Sequence, residues 1–162
     1  MHMKLLTPHR LSLLLSVVFL LLTCGLWAQT APKKFVTKHK TLVDSLSGAY
    51  GIPSSIIFGI SILESGSGTS RNARLLKNLF GIKGKNNLMS THGIRSSYKQ
   101  YATEADSFID FCQLMKKKKF YSRLKGKNEP QEWVNAIAAA GYSVHPDHWK
   151  KVIMATIRSQ KL

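Results

Sequence analysis

Residues 56–68 of the chain read Ile-Ile-Phe-Gly-Ile-Ser-Ile-Leu-Glu-Ser-Gly-Ser-Gly, an apolar run that closes on one carboxylate, Glu64, and then breaks into glycines. Ile57 and Ile60 precede Glu64 by seven and four residues, so the three share one face if the run is helical. Glycines after an apolar run are typical of a helix end. The pattern predicts a helix that presents Glu64 at its C-terminal end, facing a cleft.

Glu64 is a candidate general acid because of where this helix would hold it. A carboxyl group on an apolar face loses hydration, which disfavours its charged form and raises its pKa towards neutrality. A side chain with such a pKa can donate a proton near neutral pH. The alternative is a structural role, in which Glu64 is partly buried and paired with one of the 24 Lys and Arg residues.

The first 28 residues have the features of a secretory signal peptide. Two basic residues precede an uncharged apolar core over 11–22, and the small residue Ala28 suits a cleavage site. We therefore expect residues 1–28 to be absent from the mature protein. Two alternatives stay open, a retained membrane anchor and a lipoprotein lipidated at Cys24.

The charge of the remaining 134 residues, enough for one domain, favours an anionic partner. They carry 22 Lys and Arg against 8 Asp and Glu, because two basic residues and no acids precede residue 29. Export argues against nucleic acid as that partner. We expect contact with acidic wall polymers or an anionic membrane surface, and we expect a monomer.

The cysteine and histidine content gives no sign of a disulfide or a metal site. Cys112 is the only cysteine after residue 28, so the mature chain can form no intramolecular disulfide. The six histidines are scattered and match no zinc-site spacing. We expect neither a metal nor a cofactor, and packing alone must hold the fold.

Helical periodicity recurs along the chain and predicts a mainly α fold. Residues 29–38 are polar and basic and contain a proline, which indicates a linker ahead of a domain over 39–162. A short β-hairpin is expected near 85–98, and residues 145–149 are expected to form a turn. The predicted helices cover residues 40–50, 53–65, 103–119, 130–140 and 150–161.

Two further features of the sequence concern the surroundings of the predicted cleft. Leu79, Phe80 and Ile82 are apolar residues in a loop rich in Gly and Asn, so we expect this loop to fold down beside Glu64. The four lysines Lys116–Lys119 lie near a helix end, where cations interact favourably with the helix dipole. Such runs are usually solvated faces, and a binding role is the alternative.

Four motifs follow one another in the order and spacing of a known family. They are Ile62-Leu63-Glu64-Ser65-Gly66, Asn78-Leu79-Phe80-Gly81-Ile82-Lys83-Gly84, Tyr101 with Ser107-Phe108-Ile109-Asp110, and Ala140-Gly141-Tyr142 before Pro146. Over residues 39–161 the chain resembles the β-N-acetylglucosaminidases of bacterial peptidoglycan, glycoside hydrolase family 73. The resemblance implies a compact, lysozyme-like helical fold and cleavage of the β-1,4 bond between N-acetylglucosamine and N-acetylmuramic acid.

The resemblance also implies roles for individual side chains. Glu64 would be the general acid, and Tyr142 would line the catalytic site. Further candidates for binding the glycan strand are Asn78, Phe80, Tyr101, His145 and Trp149. For the aromatic residues the structural alternative is packing in the core. For Asn78 it is hydrogen bonding to its own loop, and for His145 it is a place in a turn.

The chain departs from the family's pattern at two places. Many members carry a further Glu in the hairpin, whereas residues 85–97 contain no acid, and many have Asp where this chain has His145. Glycosidic cleavage needs a second group that captures or stabilises the oxocarbenium-like centre. Glu104 and Asp147 are candidates for it. The alternatives are assistance by the 2-acetamido group of the substrate and a distantly positioned water, and we favour these two over a covalent intermediate on a carboxylate.

The favoured hypothesis is an exported peptidoglycan hydrolase of the periplasm or cell envelope. A second hypothesis is a wall-binding module that has kept the fold and lost the second acid. A third is a lytic transglycosylase, which also works with one glutamate but leaves a 1,6-anhydro sugar.

Overall fold

The structure, a computed structural model, describes residues 31–162. This range is mainly helical, as predicted, and none of its helices is both long and apolar enough to cross a bilayer. The predicted signal peptide and Cys24 lie outside the described residues. The helices are α1 (31–50), α2 (Ser54–Ser65), α3 (Arg71–Leu76), α4 (Leu88–His92), α5 (Glu104–Lys116), α6 (Tyr121–Leu124), α7 (Pro130–Ala139) and α8 (Pro146–Gln160).

α2 is the central helix of the domain. Every residue from Ile56 to Ile62 is buried, as expected for a helix with neighbours on all sides. α7 and α8 pack against α2 and against each other. Gly59 permits the close approach of α8, because a Cβ at this position would lie 2.9 Å from Cγ1 of Ile157. The apolar run that the sequence displays is therefore the centre of the core.

Gly66 ends α2 in the way that the sequence predicts. It adopts the left-handed conformation, with φ of 57°, and its N–H donates to the carbonyl of Ile62. Glycine takes this conformation without the steric cost that a Cβ would add. The cap leaves Glu64 in the last turn of the helix.

α1 begins earlier than the sequence predicts. The sequence predicted a linker or an irregular arm over 29–38, whereas residues 31–38 are helical. Phe35 and His39 lie one turn apart and are buried, with ring centroids 4.6 Å from each other and the His39 ring 5.0 Å from that of Phe108. Packing against α5 extends this helix, although its local composition is polar.

α8 also begins earlier than predicted. Residues 146–149 are helical, so the prediction of a turn over 145–149 is wrong. Pro146 occupies the first helical position, where its fixed φ suits a helix and its missing N–H is not needed. The acid Asp147 follows in the first turn, where negative charge is favoured. The early start puts Trp149 in the first turn of α8.

The expected β-hairpin is reduced to a single antiparallel bridge between Lys83 and Tyr98, with α4 between the two arms. Asn86 supplies much of the remaining connection, since its Nδ2 donates to the carbonyls of Ser96 and Tyr98, at 2.8 Å each. We name residues 82–100 the ribbon segment. Three backbone hydrogen bonds also join the arms, from the N–H groups of Gly84, Lys99 and Gln100 to the carbonyls of Ser97, Ile82 and Lys85. Backbone groups and side-chain amides together hold the segment without a regular strand.

Candidate active site

Glu64 is held at the end of α2 by a hydrogen bond from α8. The indole Nε1–H of Trp149 donates to Oε1 of Glu64, at 2.9 Å. Trp149 is buried, whereas Glu64 is partly exposed. The bond fixes the orientation of the carboxyl group and occupies one of its two oxygens.

Two opposing influences act on the pKa of Glu64. Burial disfavours the carboxylate and raises the pKa above its usual value, and this is the larger influence. The hydrogen bond from Trp149 favours the carboxylate and lowers the pKa. The net effect is a raised pKa, which increases the fraction of Glu64 that carries a proton near neutral pH.

The second oxygen of Glu64 faces the loop that precedes the ribbon segment. A Cβ on Gly81 would lie 3.6 Å from Oε2 of Glu64 and 3.8 Å from Cε1 of Tyr98. Gly81 has a φ of +65°, a conformation that favours glycine. The backbone of this loop therefore passes close to the carboxyl group, and the ring of Tyr98 lies beside it.

Tyr142 joins the end of α7 to the same loop. Its hydroxyl donates to the carbonyl of Phe80, at 2.8 Å, and its ring centroid lies 5.5 Å from that of Trp149. Burial, and next the charge of Glu64, raise the pKa of Tyr142 well above its usual value. The hydroxyl therefore stays protonated and can act as a donor.

Glu64, Gly81, Tyr98 and Tyr142 line a cleft of about 690 Å³, and Trp149 lies behind Glu64 outside the lining. The walls of the cleft come from the end of α2, α3, the loop, both arms of the ribbon segment, the end of α5 and the end of α7. The lining residues are Glu64, Asn72, Asn78, Phe80, Gly81, Ile82, Lys83, Tyr98, Leu114, Met115, Lys118, Phe120, Ile137, Ala140, Gly141, Tyr142, Ser143 and Val144.

A known family matches most of the described residues. The sequence model of the glucosaminidase family, described as mannosyl-glycoprotein endo-beta-N-acetylglucosaminidase, matches residues 40–162. The chain belongs to the glucosaminidase family. The resemblance stated from the four motifs is thereby confirmed, and so is the predicted class, a glycoside hydrolase.

Curated relatives of this glucosaminidase chain include larger proteins. It is 30% identical to the exo-glucosaminidase LytG of Bacillus subtilis, over 72% of the chain and 50% of LytG. It is 26% identical to the peptidoglycan hydrolase FlgJ of Vibrio cholerae, over 74% of the chain and 41% of FlgJ. The chain thus spans about half the length of the curated relatives that it matches.

Solved structures with the same fold confirm the predicted lysozyme-like class. The catalytic domain of the autolysin Auto from Listeria monocytogenes aligns with a TM-score of 0.67 and 19% identity, over 82% of this chain and 85% of that domain. The glycoside hydrolase domain of FlgJ from Salmonella typhimurium aligns with a TM-score of 0.61 and 21% identity, over 80% of this chain and 88% of that domain.

Two of the predicted site residues support the floor of the cleft. Asn78 is buried and uses its whole amide on its own loop and the ribbon segment, donating to the carbonyls of Ile82 and Lys99 and accepting from the N–H groups of Phe80 and Ile82. Phe80 is also buried and stacks on Phe111, with centroids 4.2 Å apart. Both line the cleft, and the amide of Asn78 has no hydrogen-bonding group left to offer a sugar.

Tyr101 and His145 are not brought into the cleft. Tyr101 is buried, and its hydroxyl donates to Asp110, at 2.7 Å, beside the ion pair that Lys99 makes with the same carboxylate. His145 is exposed at the start of α8, and its preceding neighbour Val144 lines the cleft instead. Tyr101 was a candidate because it belongs to one of the four family motifs, and His145 because it stands where the family commonly has Asp.

The carboxylates of the chain are unevenly distributed around the cleft. All eight Asp and Glu residues lie within the described range, and Glu64 is the only one that lines the cleft. Glu104 pairs with Lys38, and Asp147 is exposed and pairs with Lys150. Neither candidate for a second catalytic carboxylate is therefore beside Glu64. Within residues 31–162, no three His, Cys, Asp or Glu side chains gather in a way that could hold a metal ion.

Sequence reasoning missed several residues of the cleft, chiefly Tyr98, Gly81, Val144, Lys83 and Lys118. Gly81 and Lys83 belong to the Asn-Leu-Phe-Gly motif, so that motif could have indicated them. Val144 directly follows the Gly-Tyr motif and is 89% exposed, which packing alone would not favour. Nothing in the local pattern distinguishes Lys118 from the other three lysines of its run.

Proposed function

We propose that this chain is an exported peptidoglycan hydrolase that cleaves the β-1,4 bond between N-acetylglucosamine and N-acetylmuramic acid. The observation that carries the proposal is the single carboxylate of the cleft, Glu64, with a raised pKa and one oxygen bound by Trp149. The glucosaminidase family supplies the substrate class. The peptidoglycan hydrolases and the glucosaminidase among the relatives support the same substrate.

In this proposal Glu64 protonates the oxygen that leaves with N-acetylmuramic acid. Trp149 donates to Oε1, which leaves Oε2 to carry the proton on the side of Gly81 and Tyr98. A general acid must be protonated before it reacts, and the raised pKa keeps a larger fraction of Glu64 in that form. The hydrogen bond to Trp149 then stabilises the carboxylate that remains after proton transfer.

We assign the second catalytic function, the capture of the oxocarbenium-like centre, to the substrate. No other carboxylate lines the cleft within the described range, which holds every acid of the chain. The acetamido carbonyl oxygen of N-acetylglucosamine would attack its own C1 as the bond to the leaving oxygen breaks, forming a cyclic oxazolinium ion. Water then opens the ring at C1 and returns a proton to Glu64. The configuration at C1 is retained, because the centre is inverted twice.

Tyr142 is proposed to orient the acetamido group. Its hydroxyl donates to the carbonyl of Phe80, so the lone pairs of the oxygen stay free to accept from the acetamido N–H. An acceptor at that point would hold the amide in the plane that its attack on C1 requires. Trp149 acts indirectly, because its hydrogen bond positions the carboxyl group of Glu64. Phe80 also acts indirectly, because its backbone carbonyl positions the hydroxyl of Tyr142.

Export and an envelope location follow from the sequence of the first 28 residues together with the substrate. A hydrolase of peptidoglycan needs to reach the wall, and a basic surface suits an acidic wall. We propose that the chain acts in the periplasm or cell envelope as a monomer, and that residues 1–28 deliver it there. Retention of the N-terminal segment as an anchor stays the alternative.

The products of digestion test this function. Residues 29–162 are incubated with purified peptidoglycan, and the fragments are reduced with borohydride and identified by mass. Reduced N-acetylglucosamine ends support the proposal. Anhydro-muramyl ends would replace it with a lytic transglycosylase, which a cleft with one carboxylate also favours. Absence of fragments, with the protein still sedimenting with the wall, would mean a wall-binding module.

A further inference from the structure

Two lysines line the cleft together with Glu64. Lys83 lies at the start of the ribbon segment, and Lys118 lies just after the end of α5. Glu64 is the only acid in the lining, and its raised pKa reduces its negative charge. The cleft therefore carries an excess of positive charge that its own residues do not neutralise.

Neither lysine is paired with an acid elsewhere in residues 31–162. The ion pairs of this range use Lys38, Lys40, Lys99, Lys127 and Lys150 as their lysine partners. Lys83 is exposed and Lys118 is partly exposed, so both are accessible to an anion. An anion in the cleft could bind both without breaking an existing ion pair.

The backbone at each lysine is fixed. Lys83 forms the bridge with Tyr98. The N–H of Lys118 donates to the carbonyl of Met115, and its carbonyl accepts from the N–H of Tyr121, at 3.0 Å each. Two charges on fixed supports lose less freedom on binding than charges on mobile loops.

We propose that Lys83 and Lys118 form a subsite for the carboxylates of the peptides attached to the glycan strand. The inference rests on the proposed function. Once the lactyl groups of the strand are amidated by peptides, both sugars are uncharged, and the peptide carboxylates are the anions that the substrate brings. A strand that presents its scissile bond to Glu64 carries a peptide on the neighbouring sugar. The two lysines thus select strands that still bear their peptides.

The test compares two double variants of equal charge on soluble, uncrosslinked strands that bear their peptides. K83A/K118A removes the two cleft lysines. K116A/K119A removes two exposed lysines of the same run that do not line the cleft. We expect K83A/K118A to raise KM about tenfold, since each exposed ion pair contributes up to about 1 kcal/mol. We expect kcat to change little, and K116A/K119A to match the parent.

A chemically modified substrate completes the experiment. The same strands are treated with methylamine and a carbodiimide, which converts peptide carboxylates to neutral amides and leaves the sugars unchanged. On this substrate the parent and K83A/K118A should have equal KM values. A KM difference that persists would assign the lysines to another group on the strand and overturn the proposal.

The remaining outcomes separate this inference from the proposed function. An inactive parent would reject the proposed function itself. An active parent whose KM is unchanged in K83A/K118A would reject the subsite alone. An equal increase in KM in both double variants would show that binding depends on the net positive charge of the protein, and this result would also reject the subsite.

Discussion

The two walls of the cleft are built in different ways. On the helical wall, Glu64 comes from α2 and is held from behind by Trp149 of α8, a helix that packs directly against α2. On the opposite wall, the arms of the ribbon segment are joined by one bridge, a few backbone hydrogen bonds and the side-chain amides of Asn78 and Asn86. The first wall is positioned by apolar burial and the second by polar bonds.

The difference explains how the catalytic parts are distributed. A general acid needs a raised pKa, which burial on the helical wall supplies to Glu64. The ribbon segment has no acid and presents Lys83 to the cleft. In the proposed mechanism the proton donor therefore comes from the buried core helix, and the substrate supplies the second function.

The largest effect on stability is expected from the polar connection of the ribbon segment. Asn78→Ala removes four hydrogen bonds of a buried side chain and leaves the N–H groups of Phe80 and Ile82 and the carbonyl of Lys99 without these partners. We expect a loss of about 3 kcal/mol in the free energy of unfolding, measured by urea denaturation. Asn86→Ala, at a half-buried position with three bonds, should cost about 1 kcal/mol, because water can replace the amide there. Equal losses would contradict a distinct role for the buried amide.

The next effect concerns the orientation of the acid. Trp149→Phe removes the donor to Oε1 of Glu64, and we expect kcat/KM to fall roughly 10- to 100-fold because the carboxyl group is no longer fixed. The lost bond favoured the carboxylate, so the pKa of Glu64 should rise further. A general acid is active below its pKa, and the limb of the pH profile on which activity falls at high pH should therefore move to higher pH.

Trp133→Phe is the matched control for this change. Trp133 is fully buried, and its Nε1 donates to the carbonyl of Lys127, away from the cleft. This variant should lose stability without moving the pH profile. If Trp149→Phe also leaves the profile in place, Trp149 is a packing residue only.

A smaller effect is expected at Tyr142. Tyr142→Phe keeps the ring against Trp149 and removes the hydroxyl bound to Phe80. We expect kcat to fall about tenfold, since one hydrogen bond that orients the acetamido group is lost. Tyr121→Phe removes a hydroxyl that donates to the carbonyl of Tyr50, outside the cleft, and should leave kcat unchanged. A wild-type kcat in Tyr142→Phe would remove the hydroxyl from the mechanism.

The smallest effects are expected at the two other candidates for a catalytic carboxylate. Glu104→Gln and Asp147→Asn should each keep activity within about twofold of the parent, because both carboxylates pair with lysines outside the cleft. Initial rates of strand cleavage measure this directly. A loss of more than 100-fold in either variant would restore a second carboxylate to the mechanism.

The sequence predicted the helical wall well and the rest of the site less well. The burial of α2, its end at Gly66 and the inward position of Glu64 are local consequences of periodicity and glycine, and they were predicted correctly. The bond from Trp149 to Glu64 joins residues 85 positions apart, and no local pattern reports it. Because residues 145–149 were predicted to form a turn, Trp149 was not assigned to α8.

The ribbon segment shows the second limit of prediction from sequence. Asn78 was expected to bind either a sugar or its own loop, and composition cannot decide between the two. The structure gives the amide four partners in the protein. Similarly, the absence of an acid from residues 85–97 is plain in the sequence, but the distance of Glu104 and Asp147 from Glu64 depends on tertiary packing.

The central claim is that Glu64 is the one carboxylate that the reaction needs. It is tested by comparing the initial rate of reducing-end release from peptidoglycan by the parent, Glu64→Gln and Glu132→Gln. Glu132 is a partly exposed acid of α7 that pairs with Lys127 and does not line the cleft, so its variant controls for the loss of one charge. We expect the rate to fall roughly 10²- to 10⁴-fold in Glu64→Gln, with unchanged thermal unfolding, and to stay at the parental value in Glu132→Gln. A folded Glu64→Gln protein that loses less than about tenfold in rate would contradict the role of Glu64 as general acid, because such a loss is smaller than the smallest expected from removing one.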